Sequence, residues 1–485
     1  MSDSEALVLP IDGPDLTEAR SLRRADVLRR LYQEVHSAPT WASERALKER
    51  PSYTLDAFKV ALRTGVDPAG RLLSSAMPRY SMPNEALESL YGYLQRLGAE
   101  PPPGVTQSTI TLATVVAGNV DPWSERAMLD VMHAYLDRFN LDVGRELARP
   151  SFSPYYKSEL RPALRKVNLE VYRLRGDATT WPAQLEQAYS IDPAFAIVGG
   201  VSQYTWDEIH LFCERKAIPC LFPNTDAPGR GASTAQQSIY LDEGGKTEAR
   251  GLARYLADRG ELKEVVQVFR DGPEERRLAE AFAEAVAATG ARIPDTVLLP
   301  EAEPAPLQSL VKDPSTVLVL WLTAADRSWQ SVQCTSISPK LYGSGSLLFG
   351  DAPPHSRGLP SCLAFAWRYA LPGQEVPQLF RTRAWLEARK VRAPDRERIQ
   401  LNTFFAMSAV EHALVHMVDH YSRDYLIESV EHEVENALNP GNYPRSHLGL
   451  GPGQRFASKG TYIAHFDTDG VLRPLSAWIL AGSPQ

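Results

Sequence analysis

The chain has 485 residues, of which 44% are hydrophobic and 23% charged, and its formal net charge is −7. This length exceeds what one ordinary hydrophobic core organises, so about three globular domains or lobes are expected. A mildly acidic chain has no electrostatic reason to bind nucleic acid or anionic lipid, and neither is expected as a partner.

No segment predicts insertion into a membrane. The most apolar stretch, STVLVLWLTAA at 315–325, is much shorter than the roughly 20 residues that a helix needs to cross a bilayer, and it predicts a buried strand instead. The first residues, MSDSEALVLPIDGPDL, have neither the basic start nor the apolar core of a signal peptide. Taken alone, they indicate a cytoplasmic protein.

Residues 1 to about 100 have a helical pattern. In TLDAFKVALRTGV, at 54–66, apolar residues recur at spacings of three and four, which is typical of one face of a helix. A second helix is predicted after Asn84, its expected N-cap, and Gly98 is its expected stop. The proline-rich AEPPPGV at 99–105 then predicts a stiff linker and a domain boundary.

From residue 109 onward, short apolar runs alternate with amphipathic stretches, which is the pattern of βαβ units around a parallel sheet. The predicted strands are 109–116, 167–174, 195–200, 219–223, 264–270 and 316–322. The predicted helices between them are 124–139, 182–190, 205–216, 247–260 and 274–289. A break at 230–245 divides these units into two sets, a long helical region is predicted at 399–437, and short strands are predicted at 443–479.

The four cysteines are Cys213, Cys220, Cys334 and Cys362, and none lies in a CxxC pair. A zinc ribbon or a thioredoxin-type redox site is therefore not expected. Buried, unpaired thiols are the simplest expectation. Disulfides between Cys213 and Cys220 or between Cys334 and Cys362 are the alternative if the protein works in an oxidising compartment.

Two polar loops follow predicted strands at the same edge of the first sheet. GGVSQ at 199–203 lies between a buried strand and a helix, and FPNTDAPG at 222–229 follows the next strand. Ligands bind at this carboxyl edge in doubly wound sheets, and glycines there let backbone N–H groups approach an anion. Alone, the first loop is equally consistent with a tight turn and the second is a turn, whereas the two together favour a ligand site.

Signatures of common enzymes are absent from the sequence, which contains no GxSxG, Walker or HExxH motif. The first loop is not GxGxxG, so nucleotide binding has weak support. His412, His416 and His420 recur every four residues and would share one helix face. A polar stripe packed against the domain is the expectation for them, and a zinc site is the alternative.

The stretch FAIVGGVSQYTWDEIHLFCERKAIPCLFPNTDAP at 195–228 resembles the first lobe of type I periplasmic solute-binding proteins of the branched-chain amino-acid ABC transporter type. EARGLARYLADRGELKEVVQVFRDGPEERRLAEAFAEAVAATG at 248–290 is similar to the opening of that family's second lobe. The resemblance covers about 105–480. It implies two α/β lobes, each a parallel sheet flanked by helices, joined by a three-stranded hinge and closing on a small ligand.

On this resemblance, residues 109–485 form the solute-binding domain, after a linker at 101–108. Lobe 1 is expected at about 109–235 and 350–440, and lobe 2 at about 236–349 and 441–485. Ser202 matches the serine that holds the α-carboxylate of the family's ligands. The candidate ligand-binding residues are Gly200, Ser202, Gln203, Asn224, Thr225, Asp226, Arg270, Asp271 and Thr323.

Two features depart from the family pattern. Asp226 lies in the second loop, where it would repel a ligand carboxylate. No residue is a clear match for the acid that pairs with an amino-acid ammonium. The second-lobe candidates, Arg270, Asp271 and Thr323, face the cleft by position only.

The segment RPSYTLDAFKVALRTGVDPAGRLLSSAMPRYSMPNEALESLYGYLQRLG at 50–98 resembles the C-terminal half of a class I cytochrome c. On this resemblance Met77 occupies the axial haem position, where a thioether raises the haem potential. The attachment motif CxxCH is missing, since no cysteine precedes Cys213. Residues 1–100 are therefore interpreted as a truncated cytochrome c-like segment, with no haem in this chain and haem c only in a longer form with an earlier start.

The sequence thus predicts a non-enzymatic protein that captures a small solute, with amino acids and related compounds as candidates, for an ABC-type permease. Its location is periplasmic by resemblance. The alternative is a cytochrome c-linked redox or sensory protein that uses the binding domain to recognise a small molecule and has a redox partner.

Overall fold

The computed structural model describes residues 53–73, 77–96, 101–148, 164–203, 205–300, 303–311, 315–334, 340–372, 377–417, 421–436, 442–444, 449–450 and 454–481. The chain forms two compact units. The first unit comprises Met1–Ile110, Leu141–Lys166 and Leu414–Leu426. The second comprises Thr111–Asn140, Val167–Ala413 and Ile427–Gln485.

In the first unit, helices α1 (Leu55–Thr64) and α2 (Asn84–Arg96) pack together. The rings of Phe58 and Tyr91 lie 5.4 Å apart, and Lys59 pairs with Glu88 at 2.6 Å. The Thr54 side chain accepts a hydrogen bond from the Ala57 amide and caps α1. Both helices lie where the apolar periodicity predicts them.

The second unit begins with a six-stranded sheet and three helices. The strands are β1 (Thr109–Ala117), β2 (Lys166–Leu174), β3 (Ala196–Val198), β4 (Val201–Ser202), β5 (Cys220–Leu221) and β6 (Ser238–Ile239). The helices are α3 (Pro122–Ala148), α4 (Trp181–Ile191) and α5 (Asp207–Lys216). The strand order is β2-β1-β3-β5-β6, with β4 beside β1. β3 is parallel to both β1 and β5, and β5 to β6, as the alternation of apolar runs and helices predicts.

An eight-stranded sheet follows. Its first part contains α6 (Gly245–Asp258), β7 (Val265–Arg270), α7 (Pro273–Ala288), β8 (Asp295–Leu299), β9 (Val317–Trp321), β10 (Lys340–Ser344), α8 (Gly345–Phe349) and β11 (Leu363–Trp367). β9 is buried at every position, as expected for a parallel strand covered on both faces. Phe282 of α7 packs edge-on against Trp321 of β9, with ring centroids 5.6 Å apart.

Three helices then return to the first sheet: α9 (Pro377–Ala388), α10 (Glu397–Met417) and α11 (Arg423–Asn436). Phe405 of α10 packs edge-on against Phe222, with ring centroids 5.0 Å apart, and the Trp385 ring of α9 lies 6.0 Å from the Tyr135 ring of α3. The first lobe therefore consists of β1–β6 with α3–α5 and α9–α11.

The chain ends in the second sheet, with β12 (Gly460–Phe466), β13 (Leu472–Pro474) and β14 (Ile479–Leu480). The strand order is β13-β12-β11-β10-β9-β7-β8, with β14 beside β12. The strands from β8 to β11 are parallel, and β12 joins β11 in antiparallel orientation. The second lobe is this sheet with α6–α8.

The lobe boundary differs from the predicted one. β11 pairs in parallel with β10, so the second lobe continues to about residue 367 instead of ending at 349. The apolar run LAFAW is too short for periodicity to distinguish a central strand from a buried helical turn, which explains the difference.

The chain crosses between the lobes three times. The first crossing follows β6, the second follows β11, and the third precedes β12. Neighbouring crossings are joined by backbone hydrogen bonds, from the Ala457 amide to the Tyr240 carbonyl at 3.0 Å and from the Ala370 amide to the Asn442 carbonyl at 2.9 Å. A three-segment hinge thus connects the lobes.

Two disulfides replace the unpaired thiols that we expected. Cys213 at the end of α5 is bonded to Cys220 of β5, and Cys334 is bonded to Cys362. These are the two pairs given above as the alternative to free thiols, and β10 and α8 lie between Cys334 and Cys362. Among the described residues, no helix is both long and apolar enough to span a membrane.

Candidate functional site

A cavity of about 470 Å³ lies between the two lobes of the second unit. The first lobe lines it with loops after β1, β3 and β5 and with the first turn of α10, and the second lobe with the starts of α7 and α8. The hinge adds Tyr240, Leu241, Asp242, Tyr369 and Tyr443. The cavity therefore lies at the carboxyl edge of the first sheet, where the two polar loops were predicted to meet.

The loop after β3 depends on a glycine. Gly200 has a φ of +108°, and a Cβ there would lie 2.5 Å from the Trp206 ring and 3.0 Å from the Val115 carbonyl oxygen. The Gly200 carbonyl accepts a hydrogen bond from the Asn224 amide at 2.9 Å. Gly200 is not itself among the residues lining the cavity, but it joins the two loops that are.

Four polar side chains predicted for the site line the cavity from these loops: Ser202, Gln203, Asn224 and Thr225. The Ser202 hydroxyl donates to the Thr205 carbonyl, so towards a ligand it can act as an acceptor. The Thr225 hydroxyl oxygen accepts from the Ala227 amide at 3.0 Å, so its own hydrogen can be donated. Gln203 accepts from the Asn119 amide at 3.0 Å and fixes the loop after β1.

Asn224 has one buried polar atom without a partner in the described part of the chain. Its Nδ2 donates to the Thr403 hydroxyl at 3.2 Å, whereas Oδ1 is buried and accepts no hydrogen bond there. A buried acceptor without a donor is costly. A ligand N–H or O–H group in the cavity could satisfy it.

Asp226, the fifth predicted residue in the cavity, is held by two arginines. Arg398 places Nη2 at 3.1 Å from Oδ2 and Nη1 at 3.3 Å from Oδ1, and Arg368 donates to Oδ1 through Nη2. Burial alone would raise the pKa of Asp226, but the two guanidinium groups outweigh it and hold the pKa well below its usual range. Asp226 is therefore ionised.

Arg368 follows β11 in the hinge and is 1% exposed. Its Nη1 lies 2.6 Å from Oδ1 of Asp242, whose Oδ2 accepts from the Tyr443 hydroxyl at 2.6 Å. Nε of Arg368 lies 3.7 Å from Glu248 of the second lobe. The buried cation thus connects both lobes and the hinge, and it is matched by carboxylates.

Arg398, in the first turn of α10, also connects the lobes. Besides Asp226 it contacts Asp351 of the second lobe at 2.7 Å and the hydroxyl of Tyr369 in the hinge. Asp226 and Asp351 together raise the pKa of Arg398 well above its ordinary value, against the opposing effect of burial. Arg398 is the one basic residue among those lining the cavity.

Glu274 lines the cavity from the second lobe. Its Oε2 pairs with Arg277 one turn along α7, whereas Oε1 is buried and has no hydrogen-bond partner in the described part of the chain. Burial raises the pKa of Glu274 to about 7, and the negative charges of Asp226 and Glu248 add to this effect. A cationic group in the cavity would favour the ionised form.

The three predicted residues of the second lobe lie outside the cavity, as Gly200 does. Arg270 binds Asp326 at 2.5 Å, Asp271 pairs with Arg276, and the Thr323 carbonyl accepts from the Trp329 indole at 2.8 Å. Arg270 is the last residue of β7, and Asp271 and Thr323 come shortly after β7 and β9. The cavity, however, is bounded on this side by the first turns of α7 and α8 and not by the ends of β7 and β9.

Sequence reasoning missed the charged residues around Asp226, which are Glu274, Arg368, Arg398, Asp242 and Asp351. Glu274 had a weak signal, since it opens the predicted helix at 274–289 with a charged cluster. The remaining four come together only because the hinge and α10 return the chain to the first lobe. No local motif could have identified them.

The other two candidate sites, the haem position at Met77 and the row of histidines at 412–420, lie outside the cavity. Met77 is half-buried, and its carbonyl accepts from Arg79 at 2.7 Å. Residues 53–110 contain neither cysteine nor histidine, so this part of the chain has no CxxCH motif for covalent attachment of haem. His412 lies 3.3 Å from Glu433, while the side chain of His416 and all of His420 lie outside the described residues, among which no metal-binding group occurs.

No protein-family model matches the sequence, and no curated protein does. Solved structures, however, match its fold. A branched-chain amino acid ABC transporter protein from Thermus thermophilus with bound valine has a TM-score of 0.53 at 11% identity, covering 78% of this chain and 97% of its own. A leucine binding protein from Thermotoga maritima scores 0.51 at 13% identity, with coverages of 76% and 98%.

A solute binding protein of an ABC transporter from R. palustris, in complex with benzoate, has a TM-score of 0.50 at 13% identity and covers 77% of this chain and 96% of its own. At such identities the likeness establishes the fold. The predicted two-lobe α/β fold of the type I periplasmic binding kind is confirmed. The cytochrome c-like interpretation of residues 1–100 stays a prediction.

Proposed function

We propose that this protein is the substrate-binding component of an ABC-type transport system, which captures a small solute between its two lobes without changing it chemically. The observation that carries the proposal is the cavity of about 470 Å³ lined by both lobes and by all three hinge crossings. A site placed in this way is completed only when the lobes come together. Binding and closure are then one event that a permease can recognise.

The solute is small and polar. The cavity falls within the usual range of small-molecule sites, and hydroxyl, amide and carboxylate groups line much of it. The Oδ1 atom of Asn224 and the Oε1 atom of Glu274 both lack donors in the described structure. A solute with N–H or O–H donors, such as an amino acid, an amide or an amine, supplies what these atoms need.

The two disulfides support a location outside the cytoplasm. Disulfides persist in oxidising compartments such as the periplasm and are rare in the cytosol. The proteins of the same fold that bind valine or benzoate are parts of ABC transporters. We therefore place the protein in the periplasm, with a membrane permease as its partner.

A thermal-shift screen of the purified chain against amino acids, amides, amines and carboxylates tests the proposal. A solute at about 100 times its dissociation constant stabilises the folded protein by roughly 2.7 kcal/mol, which a melting curve detects readily. Saturable stabilisation by one chemical class, with dissociation constants measured by calorimetry, is expected. A panel without any stabilising compound would contradict solute capture of this kind.

Variants locate the binding. Replacing Ser202 and Thr225 together by alanine removes an acceptor and a donor from the first-lobe wall, and affinity for the solute found in the screen should fall at least about tenfold, or about 1.4 kcal/mol. Thr323→Ala is the matched control, because Thr323 follows a strand of the second sheet but lies outside the cavity. If the double variant and the control bind the solute with equal affinity, Ser202 and Thr225 do not contribute to the binding site.

A further inference from the structure

The contacts of Asp226 resemble those of a bound ligand more than those of a structural ion pair. Its carboxylate stands in the wall of the cavity and its side chain is 31% exposed, whereas the side chain of Arg368 is 1% exposed. Both carboxylate oxygens accept hydrogen bonds from guanidinium groups. The planar guanidinium group of arginine matches a carboxylate geometrically, because its N–H groups can donate to both carboxylate oxygens.

The two arginines do not depend on Asp226 alone. Arg368 retains Asp242 at 2.6 Å, and Arg398 retains Asp351 at 2.7 Å. Each guanidinium group therefore has a second carboxylate partner. The Asp226 carboxylate lies between the two guanidinium groups and faces the cavity. The chain supplies a carboxylate at this place permanently.

We propose that Arg368 and Arg398 form a carboxylate-binding subsite in the cavity wall that the protein fills with its own Asp226, and that this internal carboxylate excludes anionic solutes. An incoming carboxylate would have to displace one that is covalently attached and already paired with both guanidinium groups. Loss of Asp226 would open the subsite to a small carboxylate from solution. The exclusion of solutes rests on the proposed function, whereas the existence of the subsite does not.

The rest of the lining agrees with this selectivity. The acidic residues of the cavity are Asp121, Asp226, Asp242, Glu274 and Asp351, against Arg398 as its one basic residue. With Asp226 in place, a ligand anion meets no unoccupied cation among the lining residues and meets several carboxylates. Neutral solutes with hydrogen-bond donors and cationic solutes, such as amines, are the classes that the cavity admits.

Size-matched rescue tests the subsite without knowledge of the natural solute. Asp226→Ala removes a group of the size of formate while retaining Cβ, and Asp226→Gly also removes Cβ and leaves room for acetate. Melting temperatures of both variants are measured in sodium formate, sodium acetate and sodium chloride at matched ionic strength. Asp226→Asn is the matched control, because its amide fills the subsite and leaves no room for an added ion.

We expect both Asp226→Ala and Asp226→Gly to melt below wild type. Formate should restore at least half of the loss in the alanine variant in a saturable manner, acetate should be the better ion for the glycine variant, and chloride should restore much less. Asp226→Asn and wild type should not respond to either carboxylate. A variant that folds only in the carboxylate salts also supports the subsite.

The proposal is overturned if formate and acetate stabilise the alanine and glycine variants no more than chloride does, or if these variants stay unfolded in all three salts. The proposal is also overturned if propionate or benzoate stabilises the wild-type protein saturably, because these anions have no cationic group that could pair with the carboxylates of the cavity. A negative screen of natural solutes would leave the rescue result unchanged, so failure of the proposed function and failure of the subsite are distinguishable.

Discussion

Glu274 is an ionisable group in the cavity wall whose Oε1 atom is buried and has no hydrogen-bond partner among the described residues. It lies at the first turn of α7, where the helix dipole favours a negative charge, yet burial and neighbouring carboxylates raise its pKa from 4.5 to about 7. Since the folded state binds this proton more tightly than the unfolded chain does, the contribution of Glu274 to stability is most favourable below about pH 4.5. It becomes less favourable as the pH rises through about 7.

Glu274→Gln should therefore change the pH dependence of folding. The neutral amide removes the cost of ionising the buried carboxyl, so the variant should gain stability relative to wild type on going from pH 5 to pH 8, by no more than about 3 kcal/mol. Urea unfolding at the two pH values measures the difference. Glu280→Gln, at an exposed position of the same helix, is the control, and an identical pH profile for Glu274→Gln and wild type would contradict the assignment.

At the level of single residues, the sequence identified one side of the site. Ser202, Gln203, Asn224, Thr225 and Asp226 line the cavity because two neighbouring parallel strands end at one edge, a relation that local pattern reveals. The opposite side could not be identified in this way. Arg368 and Arg398 meet Asp226 across 142 and 172 residues of chain, a distance over which spacing carries no information.

Among the secondary-structure elements, the turn after β3 is the one most dependent on a single residue. Gly200→Ala introduces a Cβ that collides with Trp206 and the Val115 carbonyl at a positive φ, so either the loop or β1 must move. We predict a loss of stability above the roughly 1 kcal/mol expected for a positive φ alone. Solute binding should also weaken, because the Asn224 amide donates a hydrogen bond to the Gly200 carbonyl.

Gly260→Ala is the matched control for this prediction. Gly260 has a φ of +67° but has no atom within 4 Å of an added Cβ, so it isolates the backbone effect. Urea unfolding of both variants gives the comparison. Equal losses would show that the contact with Trp206 relaxes without cost.

The disulfides provide a second test at this scale. Cys334–Cys362 closes a separation of 28 residues, for which loop-closure entropy gives about 3.5 kcal/mol of stabilisation. Cys334→Ser with Cys362→Ser should lose a large part of that amount in urea unfolding, and reductant should have the same effect on wild type. Alkylation followed by intact mass measurement should find no free thiol in protein isolated from an oxidising compartment, and four modified cysteines would contradict both pairs.

The elements were predicted best where apolar runs are long and worst where the chain changes lobe. The six strands predicted between 109 and 322 and the helices between them agree with the structure to within a few residues at most ends, whereas the short strands β4, β6 and β8 were not predicted. The long helical region predicted at 399–437 contains two helices, α10 and α11. The Ser422 side chain accepts from the Tyr425 amide at the start of α11, which is an N-cap that the apolar pattern concealed.

At the scale of the whole molecule, the contact between Asp351 and Arg398 spans the two lobes. Asp351 belongs to the second lobe and Arg398 to α10 of the first, and the side chains are 22% and 16% exposed. The apparent affinity of a two-lobe protein is its intrinsic affinity multiplied by the population of the competent closed state. A contact that forms only on closure therefore raises the apparent affinity by raising that population, even though it does not touch the solute. Arg398 would remain paired with Asp226 if Asp351 were neutralised.

Asp351→Asn should therefore shift the solute-free protein towards the open state. We expect a larger radius of gyration by small-angle X-ray scattering, a return to the wild-type value at saturating solute, and a weaker apparent affinity that results from the closed state becoming rarer. Asp467→Asn, which breaks an ion pair with Arg473 within the second lobe, controls for loss of a surface charge. If Asp351→Asn weakens binding while the scattering of the solute-free protein stays that of wild type, the aspartate acts at the site itself, and the lobes are held together by the hinge and by Arg368 instead.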